Sequence, residues 1–237
     1  MTEPLPASTV IVARDAGSSI EVFMLRRSSR STFVPDVYVF PGGRIDDFDR
    51  SPAAAARVAG DTGALEAADV YAAARETFEE AGLLLVTRAV GAETVREARR
   101  QMLAGTRSFH AILDDLHAHV DAGALQYFSR WITPAAEPRR YDARFFVARA
   151  PQEQIAEADA YETDDGRWLA PAEALALYAA GEFAMIFPTI KHLERLAAFE
   201  NVDALLAFAR EKTILTVTPD IFEGRHFFIP EAMERAW

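Results

Sequence analysis

The chain has 237 residues, half of them hydrophobic, with a formal charge of -11 and no cysteine. That much apolar material excludes a disordered protein, and the missing thiols exclude disulfides and thiolate metal sites. A field this negative repels nucleic acid, so a phosphate-bearing substrate would need a local reversal of sign.

The opening stretch, MTEPLPASTVIVARDAG, shows no basic region followed by an apolar core. No apolar run reaches the ~18 residues of a membrane helix. The expectation is a soluble, unexported protein of the cytoplasm, with neither membrane nor nucleic acid as a partner. The turn DAGSS then separates two predicted strands, with Val10 and Val12 alternating in the first and Ile20, Val22 and Met24 in the second. A third short strand, DVYVFPGGR, is stopped by Pro41, Gly42 and Gly43.

Acidic and alanine-rich residues follow, read as an insertion over about 46–68 with one short helix from Pro52 to Ala59. Asp69 is the expected N-cap of a longer helix that ends at Gly82. Two further helices are predicted in ETVREARRQML and SFHAILDDLHAHV, forming a second insertion over about 90–122. Strand pattern returns at LQYFSRWIT and RRYDARFFVARA, and again briefly at RWLA after the acidic loop EADAYETDDG. Pro171 opens a helix, Pro188 and Thr189 open another, and Asn201 caps a third. Strands and helices interleave without βαβ regularity. One α/β domain over 1–237, a mixed sheet flanked by helices, is the economical architecture.

The chemistry concentrates in AAARETFEEAGLLL, residues 72–85. At about 100° per residue, Glu76, Glu79 and Glu80 fall within one arc of about 100°, and Arg75 stands four residues before Glu79. Like charges four apart repel, and near a helix C-terminus they also oppose the macrodipole. A divalent cation would relieve both effects. Oxygen-only ligands select hard ions such as Mg²⁺ or Mn²⁺, a chemistry suited to phosphoanhydride hydrolysis. The bland alternative is a solvated acidic helix face. No histidine pair has metal-ligand spacing, and neither a G-x-S-x-G elbow nor a Walker loop occurs.

RETFEEAGL, residues 75–83, resembles the end of the Nudix box, G-x5-E-x7-R-E-U-x-E-E-x-G-U, and FPGG, residues 40–43, resembles its entry. Three departures stand out. Between Gly43 and Arg75 lie 31 residues where the pattern has 13, an insertion of about 18. Thr77 replaces an aliphatic residue, and the early glutamate of the box falls at Ala67, beside Glu66. The split box, with the upstream LRRSSRSTFVPDVYVFPGG, is similar to the coenzyme A diphosphatase type, the Nudix 19 group, and the likeness extends from about Thr9 to Thr189. That group's peroxisomal address has no counterpart in the final MERAW.

The resemblance implies an α/β/α Nudix fold with Mg²⁺ (or Mn²⁺) on Glu76, Glu79 and Glu80, helped by the Gly43 carbonyl. It also implies a late-loop carboxylate as base or further ligand: Glu162, with Asp164 and Asp165 competing. Of the arginines 26, 27, 30 and 44, Arg26 and Arg44 are the candidates to meet substrate phosphates, surface charge being the bland reading. The expected partner is a small diphosphate, coenzyme A or an acyl derivative. ADP-ribose, NADH and nucleotide sugars are runners-up, and a non-catalytic nucleotide-binding module is the rival class. The 93–119 helices pack either on the cleft or on a second subunit of a homodimer, and both remain open.

Overall fold

A computed structural model describes residues 3–29, 34–222, 226–234 and 236–237. Arg30, one of the arginines considered above, lies outside the described residues. In chain order the elements are β1 (Leu5–Ala16), β2 (Ser19–Arg27), β3 (Tyr38–Val39), β4 (Gly42–Arg44), α1 (Pro52–Ala55), β5 (Val58–Ala59), α2 (Ala67–Ala81), α3 (Ala92–Leu103) and α4 (Phe109–Asp115). Then come β6 (Val120–Asp121), β7 (Gln126–Ile132), β8 (Tyr141–Arg149), β9 (Thr163–Leu169), α5 (Pro171–Ala179), α6 (Phe187–Leu196) and α7 (Val202–Glu211). Short pieces close the chain: β10 (Thr216–Val217), β11 (Asp220–Phe222), β12 (His226–Phe228) and α8 (Glu231–Glu234).

The main sheet runs β10-β7-β8-β1-β2-β3, with β4 also on β1 and β9 also on β2. β1 lies parallel to β8 and antiparallel to β2, so the sheet is mixed, as expected. Val10, Ile11, Val12 and Ala13 are all buried, the mark of a central strand covered on both faces. Val10 and Val12 face a core built with α2, α3 and α4, whereas Ile11 and Ala13 face one built with α5, α6 and α7. The result is the anticipated α/β/α sandwich.

Several boundaries differ from the sequence reading, each for a local reason. The single strand expected at 36–44 is bent at Pro41, so β3 pairs with β2 while β4 pairs with β1. The short helix stops at Ala55, and Val58 and Ala59 instead pair with Val120 and Asp121, joining the two segments expected to be insertions. α4 likewise ends at Asp115, before the second half of its predicted span. Asp69 is not the N-cap: α2 begins at Ala67, and the Asp69 carboxylate accepts the Glu66 amide from one turn inside (3.0 Å) while pairing with Arg144 (3.0 Å). Asn201 does cap α7, accepting the Ala204 amide at 2.8 Å.

Candidate active site

Alanines 72, 73 and 74 are fully buried, Ala73 and Ala74 in the core shared with Val10 and Val12 of β1 and Ala72 against Ile45, so α2 is enclosed on several sides by small side chains. Thr77, the departure from the aliphatic pattern, is also fully buried, and its hydroxyl donates to the Ala73 carbonyl (2.7 Å). A polar group is thus tolerated in the core because it is satisfied within its own helix. Gly82 ends the helix in a left-handed conformation (φ 70°), where its amide donates to the Phe78 carbonyl.

β4 supplies the floor beneath the carboxylates. The Gly42 amide donates to Glu80 Oε2 at 2.8 Å, and the Glu76 carboxyl lies so close over Gly43 that a Cβ there would sit 2.5 Å from its carbon. Only glycine at 43 admits that approach. Glu66 caps the opposite end of the helix, about 15 Å from Glu76 along the axis at 1.5 Å per residue.

Arg75 organises this end of α2. Its guanidinium grips Asp49 through two bonds (3.0 and 2.8 Å), donates to the Arg44 carbonyl (3.0 Å), and meets Glu76 at 2.9 Å and Glu79 at 3.5 Å. The expected Arg75–Glu79 pairing therefore exists but is the weakest of these contacts. Asp49, with 1% of its side chain exposed, is the chief partner. It went unread because it sits 26 residues upstream, in a run of three acids (Asp46, Asp47 and Asp49) with no motif to single one out. Burial works against the guanidinium charge, but Asp49 and Glu76 outweigh it and hold the proton more tightly than usual.

The three glutamates share one electrostatic predicament. Burial lifts Glu76 to about 7, with Arg75 opposing the rise and the charges of Glu79 and Glu162 adding to it. Burial also raises Glu79, again against Arg75. Glu80 rises well above the carboxylate range, through burial first and the neighbouring Glu76 second. Glu76 and Glu80 are thus acids held out of water beside like charges, which a cation would stabilise in ionised form. The donor set is all oxygen and fits a hard dication. Among the described residues no three acidic or histidine side chains already stand as a closed coordination cluster.

Glu162 is exposed at the start of β9, and its charge acts on all three glutamates. The loop before it is tied down by Asp159, a buried residue the sequence reading missed. Its carboxylate accepts the amides of Tyr161, Glu162 and Thr163 and the Thr163 hydroxyl, at 2.9–3.0 Å. An aspartate accepting amides two to four residues onward is a recognisable local turn, so spacing alone could have suggested it. The two competitors of Glu162 are engaged elsewhere: Asp164 with Arg26 (2.7 Å), Asp165 with the Tyr38 hydroxyl and Arg167 (both 2.7 Å). Arg26 is therefore an ion-pair partner of β9. Arg44, beside Gly43, makes no ion pair among the described residues, and the charge of Arg27 reaches Glu80.

The mixed-sheet sandwich and the acid-bearing helix seated on a double-glycine strand define a Nudix hydrolase domain. The family described as the NUDT19 Nudix domain matches residues 56–196, and the chain belongs to that family. The acyl-coenzyme A diphosphatase NUDT19 of Xenopus laevis is 26% identical over 83% of this chain. The putative nudix hydrolase 7 of Caenorhabditis elegans is 24% identical over 95% of this chain and 75% of its own. The chain spans about 65% of the length of the frog protein. The crystal structure of a NUDIX hydrolase from Alicyclobacillus acidocaldarius covers 87% of this chain and 97% of its own, with TM-score 0.71 and 28% identity.

Proposed function

We propose that this protein hydrolyses the diphosphate linkage of coenzyme A or an acyl derivative, using Mg²⁺ or Mn²⁺ held by Glu76, Glu79, Glu80 and the Gly43 carbonyl. The observation that carries the reading is the pair of glutamates, 76 and 80, laid against the Gly42–Gly43 turn and withdrawn from water, with the proton affinity of both raised by burial, that of Glu76 further by Glu79 and Glu162, and that of Glu80 by Glu76. Acids in that state cost stability, and recruiting a cation is what they gain from it. The coenzyme A preference rests on likeness to proteins named acyl-coenzyme A diphosphatase.

A dication held by these residues would supply charge neutralisation for the diphosphate and would make an attacking water more acidic. This chain's residues do the rest. Arg75, fixed by Asp49, holds Glu76 over Gly43 and restrains Glu79 beside it on the same guanidinium. Glu162, exposed on an anchored loop, takes the proton from the attacking water. Arg44 meets a phosphate oxygen, and Arg26 does so by exchanging its bond to Asp164.

The test is kcat/KM for coenzyme A, an acyl-coenzyme A, ADP-ribose, NADH and a nucleotide sugar, each with Mg²⁺ and with Mn²⁺. Coenzyme A substrates turned over best, releasing adenosine 3′,5′-bisphosphate, are the expected result. Faster ADP-ribose cleavage would overturn the substrate assignment, and tight binding without turnover of any of the five would overturn catalysis.

A further inference from the structure

α-Helices leave their last carbonyls without partners in the helix. In α2, Gly82 takes the Phe78 carbonyl, so the carbonyls of Glu79, Glu80 and Ala81 must find donors elsewhere. Two of them are met by one side chain from the insertion. Arg99 of α3 donates from Nε and Nη2 to the Glu79 carbonyl (3.0 and 2.9 Å) and from Nη2 to the Glu80 carbonyl (2.7 Å). The third, Ala81, receives the Glu157 amide (3.0 Å) from the loop that leads to Glu162.

Arg99 is an unusual residue to find there. It is 8% exposed, and among the described residues it forms no ion pair with a carboxylate. Burial accordingly pulls its pKa below the ordinary arginine value, with Asp159 and Glu157 opposing from a distance. A desolvated guanidinium aimed at carbonyls places a positive charge at the negative end of the helix dipole, under the two residues that carry Glu79 and Glu80 side chains. The glycine of the box is matched to it: a Cβ at Gly82 would come within 2.9 Å of Arg99 Nη1.

From this geometry we infer that Arg99 is a positioning residue for the cation-holding turn, and that α3 of the 90–122 insertion serves the active site by delivering it. The inference rests on the proposed diphosphatase reading. By spanning the carbonyls of residues 79 and 80, the fork fixes the last turn of α2 and with it the directions of both glutamates. The sequence reading saw α3 as a helix of unassigned purpose. Nothing in its periodicity marks position 99 over the neighbouring Arg96 and Arg100, which pair with Glu93 and Glu97 on the surface.

The experiment compares the full chain with Arg99→Met, Arg99→Lys and the surface control Arg100→Met. It reads kcat and KM for the best substrate of the parent, Mn²⁺ Kd by electron paramagnetic resonance, and circular dichroism at the assay temperature. For folded Arg99→Met, kcat is expected to fall about 10–100-fold with KM little changed, and Mn²⁺ Kd to weaken about tenfold. Arg99→Lys, which keeps the charge but cannot span two carbonyls, should fall between parent and Arg99→Met, and Arg100→Met should match the parent. A folded Arg99→Met with parental kcat and Mn²⁺ Kd would overturn the inference. If that variant does not fold, Arg99→Lys with parental values overturns it equally. A parent that binds Mn²⁺ but turns over no diphosphate refutes the diphosphatase reading instead, and the Mn²⁺ Kd series then decides the role of Arg99.

Discussion

The two faces of the sheet bury polar groups by opposite rules. On the face away from the box, His192 is fully buried against Phe145, Trp131 and Trp237, yet both ring nitrogens have partners: the Ser129 hydroxyl at 2.7 Å and the Pro188 carbonyl at 2.6 Å. Burial drives its pKa down to about 3, so it stays neutral and its cost is small. On the box face, Glu76 and Glu80 are buried beside each other with one guanidinium and one amide to share. The far face is arranged for stability, whereas the near face carries an electrostatic cost that the proposed cation would offset.

The sharpest test of that division is Glu80→Gln. It removes a carboxylate but keeps its shape, so turnover should drop by about 10²-fold or more. Melting temperature in chelator should hold or rise, because a like charge has left the core. A variant that loses stability while keeping activity would show that Glu80 is structural and erase the contrast. Asp49→Ala reverses the pattern. It strips Arg75 of its main partner, for a cost of about 3 kcal/mol, equivalent to about 6–12 °C in a chain of this length. Activity should fall with it, since Glu76 and Glu79 then lose a fixed guanidinium; thermal melts and kcat measured together check both.

The faces should also answer pH with opposite signs. Glu76 is raised from 4.5 to about 7 on folding, so between those values the native state holds a proton that the unfolded chain has released. Stability from this group is therefore greatest below pH 4.5 and drains away as pH climbs to 7. His192 is lowered from 6.5 to about 3, so in that window the unfolded chain is the one that holds the proton. Its contribution is intact above pH 6.5 and is lost as pH falls toward 3. In metal-free urea titrations from pH 4.5 to 6.5, Glu76→Gln should shift the slope of stability against pH upward by about 1.4 kcal/mol per unit relative to the parent, whereas His192→Gln should shift it downward by a similar amount. Slope changes of the same sign in the two variants would refute the opposition.

How far the sequence disclosed this arrangement depended on how local each signal was. The three glutamates and Gly82 lie within one helix, where a fixed angular step turns spacing into geometry, and the glycine pair ahead of them marks a turn wherever it occurs. The layered fold was legible for the same reason, through strand alternation and helix periodicity. Asp49, Asp159 and Arg99 escaped because their importance comes from partners 26, 2–4 and 19–20 positions away, and only the closest of these leaves a trace in the sequence. Boundary errors followed a related cause. α1 and α4 were overextended because Val58 and Val120 pair with each other across both insertions, a contact that no window of neighbouring residues contains.

The mildest perturbation asks whether the division holds at a distance. Asn201 caps α7 through the Ala204 amide, and α7 packs on the far side of the sheet, with Val202 and Leu205 in the aromatic core. Asn201→Ala frees one helix-end amide and should lower stability by about 1 kcal/mol, read as a shift in the urea midpoint without change in slope. Because the sheet lies between α7 and the glutamates, kcat and Mn²⁺ Kd should stay at parental values below the transition. A change in either would mean that the sheet transmits the state of one core to the other, and the two faces would have to be treated as a single coupled unit.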